Sequence, residues 1–160
     1  MIEFFDHVPN NGEIELTLLK GHLLIEKLLH KELIRTSRNP EVIEKMNISF
    51  STMIGLVRSY SDLEKEWIWP ALKMLNQARN QLAHSLSKKE IEEKVDGFVK
   101  FVLKHESKIT EEVINERFTH FHWALYKLYI SIAVHVHLDR NSIKIPTIFD
   151  NLKIRPNQSE

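Results

Sequence analysis

Ile14-Glu15-Leu16-Thr17-Leu18-Leu19-Lys20-Gly21-His22-Leu23-Leu24-Ile25-Glu26-Lys27-Leu28-Leu29-His30-Lys31-Glu32-Leu33-Ile34 decides the fold class. Its leucines at 18, 19, 23, 28, 29 and 33 recur at helical spacing, which gathers apolar surface onto one side of a helix. Ser37-Arg38-Asn39-Pro40 stops that helix, because proline removes an amide donor and clashes with the preceding turn. The same Asn39-Pro40 pair starts a short following segment. Phe50, Met53, Ile54, Val57 and Tyr60 then mark a shorter, half-buried helix.

Outward from there the punctuation continues. Asp62 is placed to cap a brief turn through Trp67, and Pro70 suits the first turn of a helix running to Leu86. Ser87-Lys88-Lys89-Glu90 reads as a capping box, in which serine and glutamate satisfy each other's amides. Ile91, Val95, Phe98 and Val102 form the buried stripe of the helix it opens. A last long helix is expected from about Thr110 to Asp139, turning Ile114, Phe118, Phe121, Leu125, Leu128, Ile132 and Val136 inward. A short lead ends near Pro9-Asn10-Asn11, and the tail with Pro146 and Pro156 is expected to be irregular.

Four glycines and five prolines in 160 residues are too few turn signals for a β-sandwich of this size. The expectation is therefore an all-α chain: a helical bundle of four main helices plus a shorter helix, with an irregular C-terminal tail. Length and 42% hydrophobic content suit a single domain over 1–160, its core at about 14–138 and its tail at 139–160.

Charge and composition exclude several roles. Lys+Arg and Asp+Glu balance at 22 each, so a polybasic, histone-like protein is ruled out and any affinity for nucleic acid must come from local clustering. With no cysteine there are no disulfides, no thiol catalysis and no cysteine-held metal, which fits a reducing compartment. No apolar run approaches the roughly 18 residues of a spanning helix, and the start has no basic region leading into an apolar stretch. A cytoplasmic protein with no membrane partner and no cofactor is expected. There is also no phosphate-binding glycine loop, no His-Glu-x-x-His and no nucleophile elbow.

The stretch that carries chemistry is Ala71-Leu72-Lys73-Met74-Leu75-Asn76-Gln77-Ala78-Arg79-Asn80-Gln81-Leu82-Ala83-His84-Ser85-Leu86. At about 100° per residue, Arg79 falls in the arc of Leu72, Leu75, Leu82 and Ala83, on the side expected to be core. A guanidinium there must be paired or must meet a wet cleft. Asn76, Asn80 and His84 share another face. From Trp67 to Lys89 the charged residues are Lys73, Arg79, Lys88 and Lys89, a local positive stripe in a chain of balanced charge.

Arg79-Asn80-x-x-x-His84 resembles the Arg-x(4 to 6)-His motif of the HEPN superfamily, small helical bundles that include ribonucleases and toxins. The string Ala78-Arg79-Asn80-Gln81-Leu82-Ala83-His84-Ser85 is similar to the motif region of its mannitol-repressor-like and related groups. The resemblance implies a homodimer whose motifs face each other across a cleft, where RNA is cut without a metal. Arg79, Asn80 and His84 would be the catalytic set, and Lys73, Lys88 and Lys89 would hold RNA. It also implies toxin or phage-defence roles with a protein antitoxin or activating partner, or else a non-catalytic regulatory or assembly module on the same bundle. Leu86 stands where toxins silenced by a nucleotidyltransferase carry a tyrosine, so that mode of control is not expected. Arg117-Phe118-Thr119-His120-Phe121-His122 repeats the spacing but has Phe after its arginine in place of a polar residue, and is read as coincidence.

His22, Glu26 and His30 are spaced by four on the first long helix. Three readings follow, in order: a solvated or interfacial face; Glu26 as counter-ion to Arg79, with Asn76 in support; and a zinc site, which lacks an evident fourth ligand. His120, His122, His135 and His137 are read as surface or interhelical. Trp67 and Trp69 are read as core or interface anchors before base-stacking platforms.

Overall fold

The computed structural model describes residues 2–8, 13–84, 87–105 and 119–136. They form α1 (Ile2–His7), α2 (Ile14–Thr36), α3 (Pro40–Lys45), α4 (Phe50–Tyr60), α5 (Ile68–His84), α6 (Lys88–His105) and α7 (His120–Val136), with no strand among them. The chain is an all-α bundle. α2, α5, α6 and α7 are the four main helices, α4 is the shorter one, and α1 and α3 are single-turn additions of 6 residues each.

Local chemistry sets the boundaries. α2 enters from extended backbone at Glu13 and leaves into extended backbone at Ser37, with Arg35 in its last turn where a cation complements the helix dipole. Ser49 caps α4 by accepting from the Thr52 amide at 3.2 Å. α5 starts two residues ahead of Pro70, so the missing proline amide falls among donors that have no partner anyway. Ser87 precedes α6 and its carbonyl accepts from the Ile91 amide, while Glu90 takes a hydrogen bond from Gln81 on α5.

α2 runs through the middle of the molecule, against α4, α5 and α7. It buries Leu18, Ile25 and Leu29 against Leu72 and Leu75 of α5 and Leu125, Leu128 and Ile132 of α7 in one core that also takes Phe98 from α6. At Gly21, α2 and α7 come so close that an added Cβ would stand 2.8 Å from Leu125 Cδ1. No helix among the described residues is long and apolar enough to cross a membrane.

Two expectations change. The lead before Pro9 is helical and contributes fully buried Phe4, with Val8 behind it, so the core reaches well ahead of residue 14. The reason is aromatic: Phe4 packs on His122, Tyr126 and Tyr129 of α7 at ring separations of 5.2 to 5.4 Å. Asp62 makes no capping hydrogen bond among the described residues and lies instead 3.2 Å from His135 Nε2; residues 61–65 are irregular and the turn is confined to 66 and 67. The final helix is seen from His120, and its expected start at Thr110, its end at Asp139 and the tail lie outside the described residues.

Candidate functional site

The first half of α5 is sunk in the core: Ile68, Trp69, Ala71, Leu72, Leu75 and Ala78 are all buried. Arg79 continues the arc of Leu72 and Leu75 yet is exposed, as is Ala83, while Leu82 is half-buried. The expected core side therefore runs out at Arg79, and a groove of about 500 Å³ opens beside it. α2 contributes Leu19, His22, Leu23 and Glu26 to this groove, the start of α4 contributes Ser49, Phe50 and Ser51, and α5 contributes Asn76, Arg79 and Asn80. Of the two choices open to a guanidinium in that arc, the wet cleft is the one realised.

His22 is the groove's buried polar group, 5% exposed, with its ring 4.1 Å from that of Phe50. Its Nδ1 lies 3.7 Å from Glu26 Oε2, and its Nε2 has no hydrogen-bond partner among the described residues. Burial drives its pKa down to about 4; neighbouring Asn76 pulls upward, without reaching Nε2 in hydrogen-bond geometry, and the charge of Arg79 pushes down again. The ring is thus neutral near pH 7. The solvated-face reading fails for His22.

Arg79 has one polar contact, a long 3.5 Å hydrogen bond from its NH1 to Asn80 Oδ1, and no carboxylate within 4.0 Å among the described residues. Glu26 shares its groove but does not pair with it, which corrects the counter-ion reading. Both groups remain in contact with water, so neither requires the other.

His84, the last residue of α5, is exposed and stands apart from the groove lining, with no hydrogen bond or ion pair among the described residues. Five residues place it about 7.5 Å along the axis and about 140° around from Arg79. Lys73, Lys88 and Lys89 are all exposed, but Lys88 lies among Glu13, Glu15 and Glu92. The positive stripe is therefore offset at its α6 end by acids from α2 and its approach. Beside the groove, Leu16, Leu19 and Leu23 stand 43%, 41% and 56% exposed on one face of α2, an apolar ridge open to solvent.

The zinc reading of His22, Glu26 and His30 is not met. Among the described residues, the three ligand atoms that converge within 4.8 Å belong to Glu32, Asp62 and His135. Glu32 is fully buried and accepts from Arg35 at 2.8 and 2.7 Å and from Ser61 Oγ at 2.9 Å, with His135 Nε2 3.2 Å away. Burial alone would raise its pKa. The hydrogen bonds from Arg35 and Ser61, with the positive charges of Arg35 and His135, outweigh burial and hold it below the usual carboxylate value. This network was missed in the sequence, although Glu32 sits on the same α2 arc as Leu18, Ile25 and Leu29.

The other candidates fall into structural places. Trp69 is 2% exposed in the core and half-buried Trp67 stacks on His105, so neither lines the groove. His122 is an interhelical histidine, its Nε2 3.1 Å from the Val8 carbonyl and its pKa lowered by burial against that hydrogen bond. Arg117 lies outside the described residues.

These features define a class: an all-α bundle that presents Arg79, Asn80 and His84 toward the end of one helix, next to an open groove and unpaired by any carboxylate among the described residues. Comparison with protein-family models, with curated proteins and with solved structures returns no match.

Proposed function

We propose that this chain is a metal-independent endoribonuclease of the HEPN type, acting in the cytoplasm as a homodimer. The observation that carries the reading is the state of Arg79, exposed on a groove and free of carboxylate partners among the described residues. A regulatory module keeping the motif only for folding would saturate Arg79 with a carboxylate and leave His84 buried or capping; among the described residues Arg79 has no carboxylate partner and His84 is exposed at the helix end.

The chemistry follows from the side chains. The RNA 2′-oxygen attacks phosphorus, the bond to the 5′-oxygen breaks, and the products are a 2′,3′-cyclic phosphate and a 5′-hydroxyl. His84 takes the proton of the 2′-hydroxyl, and the His84 of the second protomer delivers one to the leaving 5′-oxygen. The Arg79 fork holds the phosphate oxygens as negative charge builds, and Asn80 orients the phosphate. Because Arg79 and His84 diverge on one helix, a shared phosphate needs both protomers. The exposed Leu16, Leu19 and Leu23 ridge supplies the apolar surface on which they meet. A protein antitoxin or activating partner would act by covering or completing the same face.

The test is cleavage of labelled total RNA in EDTA by wild type, Arg79→Ala and His84→Ala, each checked by circular dichroism. Cleavage by wild type with cyclic-phosphate ends, lost in both variants, is the expected result. A folded, dimeric and inactive wild type overturns the reading in favour of the binding module.

A further inference from the structure

Glu32, fully buried and remote from the groove chemistry, belongs to a different constellation. Three parts of the chain end around it: Glu32 comes from α2, Ser61 and Asp62 follow the last residue of α4, and His135 comes from the last turn of α7. One oxygen from each carboxylate and one ring nitrogen lie within 4.8 Å of one another. His135 Nε2 is 3.2 Å from Glu32 Oε1 and 3.2 Å from Asp62 Oδ1. Tetrahedral zinc, with bonds of about 2.0 to 2.1 Å, sets its ligand atoms about 3.3 Å apart, so two of the three spacings already suit a single ion. Proton counting points the same way. An imidazole offers at most one proton at Nε2, yet Ser61 Oγ stands 3.0 Å from that atom and the two carboxylate oxygens 3.2 Å from it. One N–H aims well at only one of them. Asp62 is 85% exposed and could face water, but its carboxylate is turned onto the nitrogen. A cation bonded to Nε2 and to both carboxylates ends this competition, and the exposed ligand gives it a way in. Arg35 donates to both Glu32 oxygens and fixes the carboxylate, the part that donors behind a ligating group play.

We propose that Glu32, Asp62 and His135 form a zinc site that pins the ends of α2 and α7 to the segment after α4. Zinc takes Glu32 Oε1, Asp62 Oδ1 and His135 Nε2, and water fills the fourth position. Ser61 gives up its 2.9 Å hydrogen bond to Glu32 Oε1 and holds that water instead. The donor set selects the ion: an imidazole nitrogen beside carboxylates suits zinc, whereas magnesium and calcium prefer oxygen alone. The charge of Arg35 opposes the ion, so zinc binds more weakly here than at a site with no cation beside it. None of these residues lines the Arg79 groove. The site therefore stands apart from RNA cleavage and neither needs nor opposes the ribonuclease reading.

The test is isothermal titration with zinc chloride of the full chain, first stripped with EDTA and dialysed, alongside thermal unfolding followed by circular dichroism. Wild type is expected to take a single zinc ion per chain and to melt at a higher temperature with zinc than with the same concentration of magnesium. Asp62→Asn keeps the size of an exposed side chain, so it folds, and is expected to bind zinc roughly tenfold or more weakly. His135→Gln removes the ligating nitrogen and is expected to lose the effect of zinc on melting altogether. His120→Ala, an exposed histidine at the other end of α7, is expected to bind as wild type does. Absence of zinc binding by wild type, or equal affinity in wild type and Asp62→Asn, overturns the site. A loss in His120→Ala as large as that in Asp62→Asn assigns the zinc to surface histidines and overturns it as well. Equal melting shifts with magnesium and zinc overturn the choice of ion.

Discussion

Acidification from pH 7 to 5 is expected to cost wild type about 2 kcal/mol more stability than it costs a His22→Gln variant. His22 titrates at about 4 in the folded chain against an ordinary 6.5, chiefly because burial disfavours the imidazolium. Its folded pKa is depressed, so above 6.5 the ring is neutral in both states and exerts no pH effect. As pH falls through 6.5 the unfolded chain takes up a proton that the folded chain refuses, and stability drops until about pH 4, where the folded ring also titrates. The full gap corresponds to about 3 kcal/mol, of which about 2 has been lost at pH 5. Burial of all but 5% of the residue means little solvent screening reduces this. Urea unfolding followed by circular dichroism at both pH values gives the comparison, with the slope checked for constancy. His122 and Glu32 respond to acid in both proteins and cancel in the difference. Equal pH losses in wild type and variant would refute the argument that the ring is held neutral in the groove wall.

Gly→Ala should act with opposite signs at two helical positions. At Gly55 an added Cβ meets nothing within 4 Å, so the gain in helix propensity should stabilise by up to about 1 kcal/mol; at Gly21 the 2.8 Å approach to buried Leu125 should turn that gain into a net loss of about 1 kcal/mol. Thermal or urea unfolding of both variants checks the contrast, and the same sign at both sites contradicts it. Arg35→Ala should destabilise by about 2 to 3 kcal/mol, since it leaves Glu32 buried without its bidentate partner. That penalty should shrink as pH falls, because the variant's Glu32 protonates readily while the wild-type carboxylate, held below its usual pKa, resists. Leu23→Glu, placed at the most exposed point of the α2 ridge, should shift the protein to monomer in sedimentation experiments without altering its circular dichroism.

The bundle was legible in the sequence because helical period and proline punctuation are local signals. Ile14–Ile34 anticipates α2 to within two residues at its end, and the stripe of Phe50, Met53, Ile54 and Val57 is the buried set of α4. The lead before Pro9 was not legible as core, since six helical residues are too few to show a period and Phe4 earns its burial from α7 aromatics far along the chain. The same limit governed the site. Asn76, Arg79 and Glu26 were picked out by composition and helical register, and they do share a groove. Which contacts form inside it is a matter of how α2, α4 and α5 cross, and register on one helix is silent about that. Hence Glu26 looked like a counter-ion, and the start of α4 was not suspected at all. Glu32 went unnoticed for a related reason: its partners Ser61 and His135 lie 29 and 103 positions away.

The chain provides its own comparison for what a structural arginine looks like. Arg35 forks onto Glu32 with two hydrogen bonds shorter than 3 Å, and Arg58 reaches Glu66 at 3.0 Å with its guanidinium 6.0 Å from the Trp69 ring. Each is tied by the kind of contact that orients a planar, always charged group. Among the described residues Arg79 has only the stretched bond to its neighbour Asn80, although it leaves the helix on the side of Leu72 and Leu75 and a carboxylate, Glu26, lines the same groove. An arginine that the fold does not need is replaceable there by leucine at little cost, because it leaves the helix in the arc of Leu72 and Leu75. Arg79→Leu is accordingly expected to leave stability unchanged or raise it while abolishing both RNA binding and cleavage. A variant that unfolds, with binding lost only in proportion, would return Arg79 to the scaffold.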